Sequence, residues 1–379
     1  MNRAIKYRLY PNKEQAILID KTIGCARKIY NLMLNDKIEY YKSNKAMLNN
    51  SPAQYKKDFP YLKEVDSLAL ANASQNLNKA YKIFFKNKNI GFPKFKSKKR
   101  SRLSYTTNNQ KGTIRIQGSK IKIPKLGFVK ASIHRKAKKD WLLKPATISK
   151  DPCGKYYISV LYELLYELLY EFDYKVKFIN KNSIDQSKII GLDYKSNGLY
   201  MDSDGNKAFG SNKFFRQYEK KLAKAQRKLK NKDVGSNNYY KQRLKVNKIY
   251  NKIKNKRLDY LHKLSTKIAN LYDVVCIEDL NMKDLSNKGF GNGKATMDNG
   301  YGMFTFMLEY KLNERGKYLI KIDKWYPSSQ ICSDCGNRQK IPLDQRAYVC
   351  PKCGKTIDRD YNAAINIKNE GIRLLKAIN

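Results

Sequence analysis

Two Cys-x-x-Cys pairs near the C-terminus, Cys332/Cys335 and Cys350/Cys353, stand fourteen residues apart, and nothing else in the chain restricts its fold as tightly. Each pair is followed by a glycine, Gly336 or Gly354, that lets the backbone turn under the sulfurs. Four thiolates at this spacing suit one tetrahedral Zn2+ ion, and a closed four-sulfur shell leaves no position for water, so the expected role of the ion is structural. The segment "CPKCGKTIDRDYNAA" then passes within a few residues into an acidic, helix-like stretch. The metal knot therefore has to deliver the chain directly into the last helix. Cys25, Cys153 and Cys276 stand alone and read as ordinary thiols of a reducing compartment. With only His134 and His262, a histidine-pair or Ser-His-Asp mechanism has little support.

Charge sets the class of partner. Lys and Arg number 78 against 33 Asp and Glu, a formal net charge of +45, with 29 Tyr and 14 Phe available to stack on bases. A polyanion, nucleic acid above all, is the expected partner. The basic residues are spread along the chain rather than gathered on one amphipathic helix, which fits a membrane surface poorly. No apolar run reaches the length of a membrane span and the N-terminus lacks a signal-peptide pattern, so a cytosolic protein is expected.

Along the chain, "AIKYRLY" alternates as a strand, and helical spacing follows over residues 12–42 and again in "SLALANASQNLNKAYKIFFKNK". Residues 91–110 read as a basic loop, and short alternating segments from 111 to about 160 as a small antiparallel barrel or sheet. "LYELLYELLYEF", residues 161–172, is a four-residue repeat that fits helix and strand equally. Two strands are expected over 188–208, then two long Lys/Arg-rich helices broken at 233–238. Opposite charges that would pair on those helical faces are nearly absent, which favours phosphate contact, with Lys228 and Arg243 as candidates. "DVVCIEDLNM" has the form of a buried strand ending in acid; a Gly-rich loop (285–302), a helix and a further strand lead to the cysteines.

Without histidines, phosphodiester cleavage can be run by two divalent ions on carboxylates, and hard oxygen ligands suit Mg2+. Candidates are Asp193 in "GLDY", Glu278 in "IEDL", and Asp358 or Asp360. Positions 360, 364, 367, 371, 374 and 378 form one helical stripe, which Asp360 opens and from which Asp358 is absent. Capping of the helix by Asp360 is the structural alternative. Gly191, on the strand face of Asp193, leaves room beside that carboxylate, whereas alternation cannot say which face of the "IED" strand holds a site.

Taken in order, "YRLYPNKEQ", "GCARKIYN", "RLDYLHKLS", "VVCIEDLNM", "YPSSQICSDCG", "CPKCG" and "DRDYNAAINI" resemble the TnpB family of insertion-sequence-encoded RNA-guided nucleases, related to type V CRISPR effectors. The resemblance spans nearly the whole chain. It implies an α/β multidomain protein: a wedge-like β-barrel (1–10 and 111–180), a helical recognition region (11–110), a RuvC-like nuclease of RNase H fold with a basic hairpin (187–325), a zinc ribbon (326–356) and a C-terminal nuclease helix (357–379). It carries the family's acidic triad onto Asp193, Glu278 and Asp360, holding two Mg2+ ions, and implies a guide RNA from the element's end and a double-stranded DNA target with a short adjacent motif. Nucleoid association in a bacterial cytoplasm follows from that role. "SYTTNN", with Thr106, Thr107 and Asn108, is a candidate nucleic-acid contact. The family pattern is departed from at Tyr194 and Lys195, where small or aliphatic residues are commoner, and at the "LYEL" expansion. Two other functions are compatible with the composition: an RNA-guided DNA-binding regulator with a silent nuclease, and a strand-transferring transposase.

Overall fold

The computed structural model describes residues 2–87, 89–137, 141–164, 177–208, 210, 213–287, 293–342 and 345–377. The chain divides into two units, Met1–Tyr174 and Lys175–Asn379.

The first unit packs helices on an antiparallel sheet. Strand β1 (Asn2–Tyr10) enters α1 (Lys13–Asn44) through a capping box in which Asn12 and Gln15 satisfy each other's backbone N–H. A short α2 (Tyr55–Asp58) precedes α3 (Ser67–Lys86), capped by Asp66. Strands β2 (Ser104–Thr107), β3 (Arg115–Gln117), β4 (Lys120–Ile123), β5 (Gly127–Ser132), β6 (Trp141–Lys150) and β7 (Tyr156–Leu164) complete it. The sheet order β2-β6-β7-β1-β5-β4-β3 sets β1 near the middle, with Ile5, Tyr7 and Leu9 buried at every second position.

Two sequence expectations need correction here, and one left open between helix and strand is settled in part. The strand order has two ends, β2 and β3, so among the described residues hydrogen bonds do not close the sheet into a barrel. Ser104–Thr107, assigned by sequence to a basic loop within the helical region, is an edge strand paired with β6 from Ser104–Ser149 to Thr107–Ala146. Its Lys-rich, Pro-containing approach masked a four-residue alternation. Residues 161–164 of the repeat end β7 as strand, and residues 165–172 lie outside the described residues.

The second unit is built on a four-stranded sheet, order β11-β10-β8-β9. Its elements are β8 (Ile189–Lys195), β9 (Leu199–Asp202), α4 (Phe214–Lys230), α5 (Asn237–Leu271), β10 (Val274–Glu278), α6 (Met282–Leu285), α7 (Gly293–Asn299), α8 (Tyr301–Asn313), β11 (Tyr318–Ile322), β12 (Ala347–Val349), β13 (Thr356–Asp358) and α9 (Arg359–Ala377). β8, β10 and β11 run parallel and β9 antiparallel. Parallel strands covered on both faces need apolar side chains on both, which is why "VVCIE" reads as a continuous run. Ile190, Leu192, Val275 and Ile277 pack with α5 and α8, while Ile189, Val274, Cys276, Ile320 and Ile322 pack with Ile367 and Leu375 of α9.

Helix α9 lies against the sheet at two glycines. A Cβ at Gly191 would collide with the Ala364 carbonyl oxygen, and one at Gly371 with the Cys276 sulfur. The room that Gly191 leaves is thus filled by α9 itself. The Gly-rich segment 285–302 is partly helical, with α7 and α8 divided at Gly300, whose φ of 67° ends one helix and opens the next.

Candidate active site

Strand register brings the acids together. Ile277 lies beside Leu192 in the parallel β8–β10 pair, so the next residues, Glu278 and Asp193, follow at adjacent points where that pairing ends, Asp193 still paired with Met201 of β9 and Glu278 with Ile322 of β11. Each shares its face with the residue two before it, Cys276 or Gly191, and that is the face α9 covers. The uncertainty over the "IED" strand is resolved: Glu278 faces α9.

The start of α9 supplies the third carboxylate. The side chain of Asp358 accepts from the backbone N–H groups of Asp360 (2.9 Å) and Tyr361 (3.0 Å), which makes Asp358 the helix cap. Asp360 is thereby released from capping and is buried, with 9% of its surface exposed. Its carboxylate pairs with the Lys195 ammonium, and the Arg359 guanidinium lies 3.8 Å away.

Electrostatics put the three acids in one neighbourhood. Burial pushes the Asp193 carboxyl well above the usual carboxylate range, the negative charges of Glu278 and Asp360 push it further, and Lys195 and Arg359 oppose them. Burial raises Glu278 too, partly offset by the Ser328 hydroxyl, which donates to its Oε1 at 2.7 Å. Tyr301 is buried with its hydroxyl unpartnered; burial and the charges of Asp193 and Glu278 raise its pKa.

The cysteine cluster adjoins this site through α9. The four sulfurs lie within 4.8 Å of one another, with Cys332–Cys353 at 3.6 Å and Cys335–Cys350 at 3.5 Å. Tetrahedral zinc at about 2.3 Å from each sulfur sets sulfurs about 3.8 Å apart. The backbone N–H of Cys353 lowers the Cys350 thiol to about 6, while hydrogen bonds from the other sulfurs raise the Cys353 thiol, so the cluster titrates as a group. The ribbon hairpin β12–β13 runs to Asp358, two residues beyond the boundary expected at 356. Asn362 and Asn366 of α9 bind the segment leading into the cluster. Asn362 donates to the Ile331 carbonyl (2.7 Å) and accepts from the Ser333 N–H (3.0 Å). Asn366 donates to the carbonyls of Ser328 (2.8 Å) and Ile331 (2.7 Å). Ser328, Asn362 and Asn366 were not anticipated as site residues. The available signal was two amides four residues apart beside the apolar stripe that Asp360 opens.

A second support comes from α7. Asn299 donates to the carbonyls of Lys195 (3.2 Å) and Ser196 (2.7 Å) and so fixes the β8–β9 turn. Its neighbour Asp298 accepts from the N–H groups of Phe215 (2.8 Å) and Arg216 (3.3 Å) at the start of α4, and pairs with Arg257 of α5 at 3.0 Å. Both side chains are buried.

Of the candidate nucleic-acid contacts, Lys228 and Arg243 are exposed on the α4–α5 hairpin. Lys228 lines a groove with Lys221, Lys224, Lys245, Lys248 and Tyr218. In the first unit Thr106 bonds Thr147 at 2.9 Å and Asn108 is half-buried. Thr107 is fully buried, because strand alternation turns it into the core; its assignment as a contact is corrected.

Comparison with known proteins agrees with this architecture. Residues 1–46 match the family described as "Helix-turn-helix domain", 171–288 "Probable transposase" and 301–367 "Cas12f1-like, TNB domain". Over the first of these the structure has β1 and the single long helix α1. A "Putative RNA-guided DNA endonuclease" of Streptomyces pristinaespiralis is 32% identical over 98% of this chain and 90% of its own length. A "TnpB-like protein" of Methanocaldococcus jannaschii is 28% identical over 50% of this chain and 71% of its own length. The protein chain of a Cas12f1-sgRNA-target DNA complex superposes with a TM-score of 0.59 at 15% identity, covering 97% of this chain and 99% of that one, a likeness of fold. On the end-to-end similarity to the Streptomyces relative, together with the motifs in their order, the chain belongs to the TnpB family.

Proposed function

We propose that this protein is an RNA-guided DNA endonuclease of a transposable element. The second unit is read as a RuvC-like nuclease of RNase H type with an inserted zinc ribbon, and the first as the wedge-like sheet with its helical recognition part. The observation that carries the reading is the convergence of Asp193 on β8, Glu278 on the adjoining β10 and Asp360 at the start of α9, near enough that the charges of Glu278 and Asp360 both raise the Asp193 carboxyl.

The residues present fit divalent ions. All three donors are hard oxygens, their carboxylates repel one another, and the orphaned Tyr301 hydroxyl lies in their field. Asp193, Glu278 and Asp360 would hold two Mg2+ ions, which when bound supply an activated water and stabilise the leaving oxygen of a phosphodiester. Ser328 orients Glu278, Asp358 sets the direction of the helix that presents Asp360, and Asn299 fixes the turn after Asp193. The four cysteines would hold one structural Zn2+. Lys228 and Arg243 would track phosphates, while Thr106 and Asn108 approach DNA; sequence choice belongs to guide–target pairing.

The test is plasmid cleavage with the element-end RNA that copurifies with the protein, in Mg2+. Asp360→Ala is expected to abolish cleavage with RNA binding retained. Asp358→Ala is expected to cut, at a stability cost of about 1 kcal/mol for the lost cap. Equal loss from both variants would sink the assignment, and a wild-type complex that binds its target without cutting would leave the regulator function instead.

A further inference from the structure

Lys195 stands in this site without a part in the chemistry just described. It ends β8, two residues after Asp193, and its ammonium is the partner of the Asp360 carboxylate. The backbone under it is pinned: it pairs with Leu199 across the turn, and Asn299 holds the carbonyls of Lys195 and Ser196. The turn is tight enough to force Gly198 and the buried Leu199 to φ of 129° and 84°. Movement is left to the side chain, which is 21% exposed and has an outlet to solvent. A fixed root and a free tip are what a displaceable group requires.

We propose that Lys195 is a built-in counter-cation of the acid cluster. Its ammonium occupies Asp360 in the free protein and competes there with divalent ions, so that the site loads weakly until a phosphate of bound nucleic acid takes the ammonium away. Charge makes the competition unavoidable. A monovalent cation on a shared carboxylate opposes a divalent one both by repulsion and by occupying an oxygen that would otherwise bind it. Arg359 also faces Asp360, but at 3.8 Å and from the same helix turn, and it has other hydrogen-bond partners, including the Pro342 carbonyl, so it stays when Lys195 leaves. A phosphodiester is the natural receiver of the ammonium, being the anion that a nuclease site admits. Lys195 would then be a positioning residue that makes metal loading follow substrate arrival.

This inference rests on the carboxylate reading of the metal site, and the experiment separates the two. Mn2+ serves as the probe, its binding to zinc-loaded full-length protein followed by electron paramagnetic resonance of the free ion. In the absence of nucleic acid, Lys195→Gln is expected to bind Mn2+ at least about 10-fold more tightly than wild type, or about 1.4 kcal/mol. Lys195→Arg, which keeps the charge, is expected to match wild type. The gain from Lys195→Gln should vanish in an Asp360→Asn background. Adding guide RNA and a target duplex should tighten Mn2+ binding to wild type more than to Lys195→Gln. If wild type and Lys195→Gln bind equally, with binding still abolished by Asp193→Ala, the counter-cation is overturned and the metal site stands. If neither binds Mn2+ in an Asp193-dependent way, the metal site falls and the inference with it. Folding of each variant is checked by its unfolding midpoint.

Discussion

Asp193 and Glu278 are carboxylates kept where ionisation is costly, and that cost has a measurable sign. Burial and its acidic neighbours raise the folded pKa of Asp193 above the unfolded value, so the folded state holds the proton more tightly than the unfolded chain. The resulting stability is complete below the ordinary carboxylate range and disappears as pH rises through the raised folded pKa. In metal-free protein at pH 8, Asp193→Asn is therefore expected to unfold at least about 2 °C above wild type. The gap should close as pH falls toward about 4. A gap independent of pH, followed by circular dichroism, would show that the Asp193 charge is not the cause. At this scale the sequence was legible where a period could be counted. The helical stripe separates Asp360 from Asp358 before any coordinates are known. The cap at Asp358 was not legible, because a cap depends on where the helix starts and the end of β13 decides that. Nor was the burial of Thr107, since four residues of edge strand give alternation too few repeats to stand out from a polar loop.

Helix α9 joins two kinds of centre, the thiol cluster on one side and the acids on the other, through buried amides rather than through the sheet alone. Asn366 is the central joint: its NH2 group satisfies the carbonyls of both Ser328 and Ile331, and Ser328 in turn holds Glu278. Asn366→Ala leaves those carbonyls without that donor and is expected to cost about 1–3 kcal/mol in urea denaturation. Zinc content, read by a colorimetric thiol-displacement assay, should stay unchanged, and cleavage should fall because Ser328 loses its place. Release of zinc by the variant would mean that the amide supports the cluster rather than Glu278. The elements themselves were readable wherever apolar residues ran continuously or at helical spacing, as in α1, α3, α5, β10 and α9. Glycine content misled over 285–302, where Gly300 punctuates two helices instead of marking a loop. The closing of a sheet into a barrel is not a property of its strands' sequences. It depends on pairing between distant edges, and among the described residues β2 and β3 remain edges.

For the whole molecule, a formal charge of +45 makes nucleic-acid affinity chiefly a matter of counterion release. Replacing Lys221, Lys224 and Lys228 together by Gln on the α4–α5 hairpin should weaken guide-RNA binding uniformly across sequences. It should also reduce the slope of log affinity against log salt by about 2, which titrations at several salt concentrations would measure. An unchanged slope would remove the groove from the binding surface. The basic class of partner could be taken from composition because charge is additive. The division into Met1–Tyr174 and Lys175–Asn379 could not, since it depends on which segments pack together. One consequence of that packing lies in two consecutive residues. Asp298 grips the root of the hairpin at α4 and Arg257, and Asn299 grips the turn beneath Lys195. From Arg257 to the tip of the hairpin, α5 extends about 30 Å at about 1.5 Å per residue. Residues 298 and 299 thus moor both the base of this long basic hairpin and the turn that carries Lys195 to the same end of α7, so the surface offered to a polyanion and the edge of the acid cluster share one anchor.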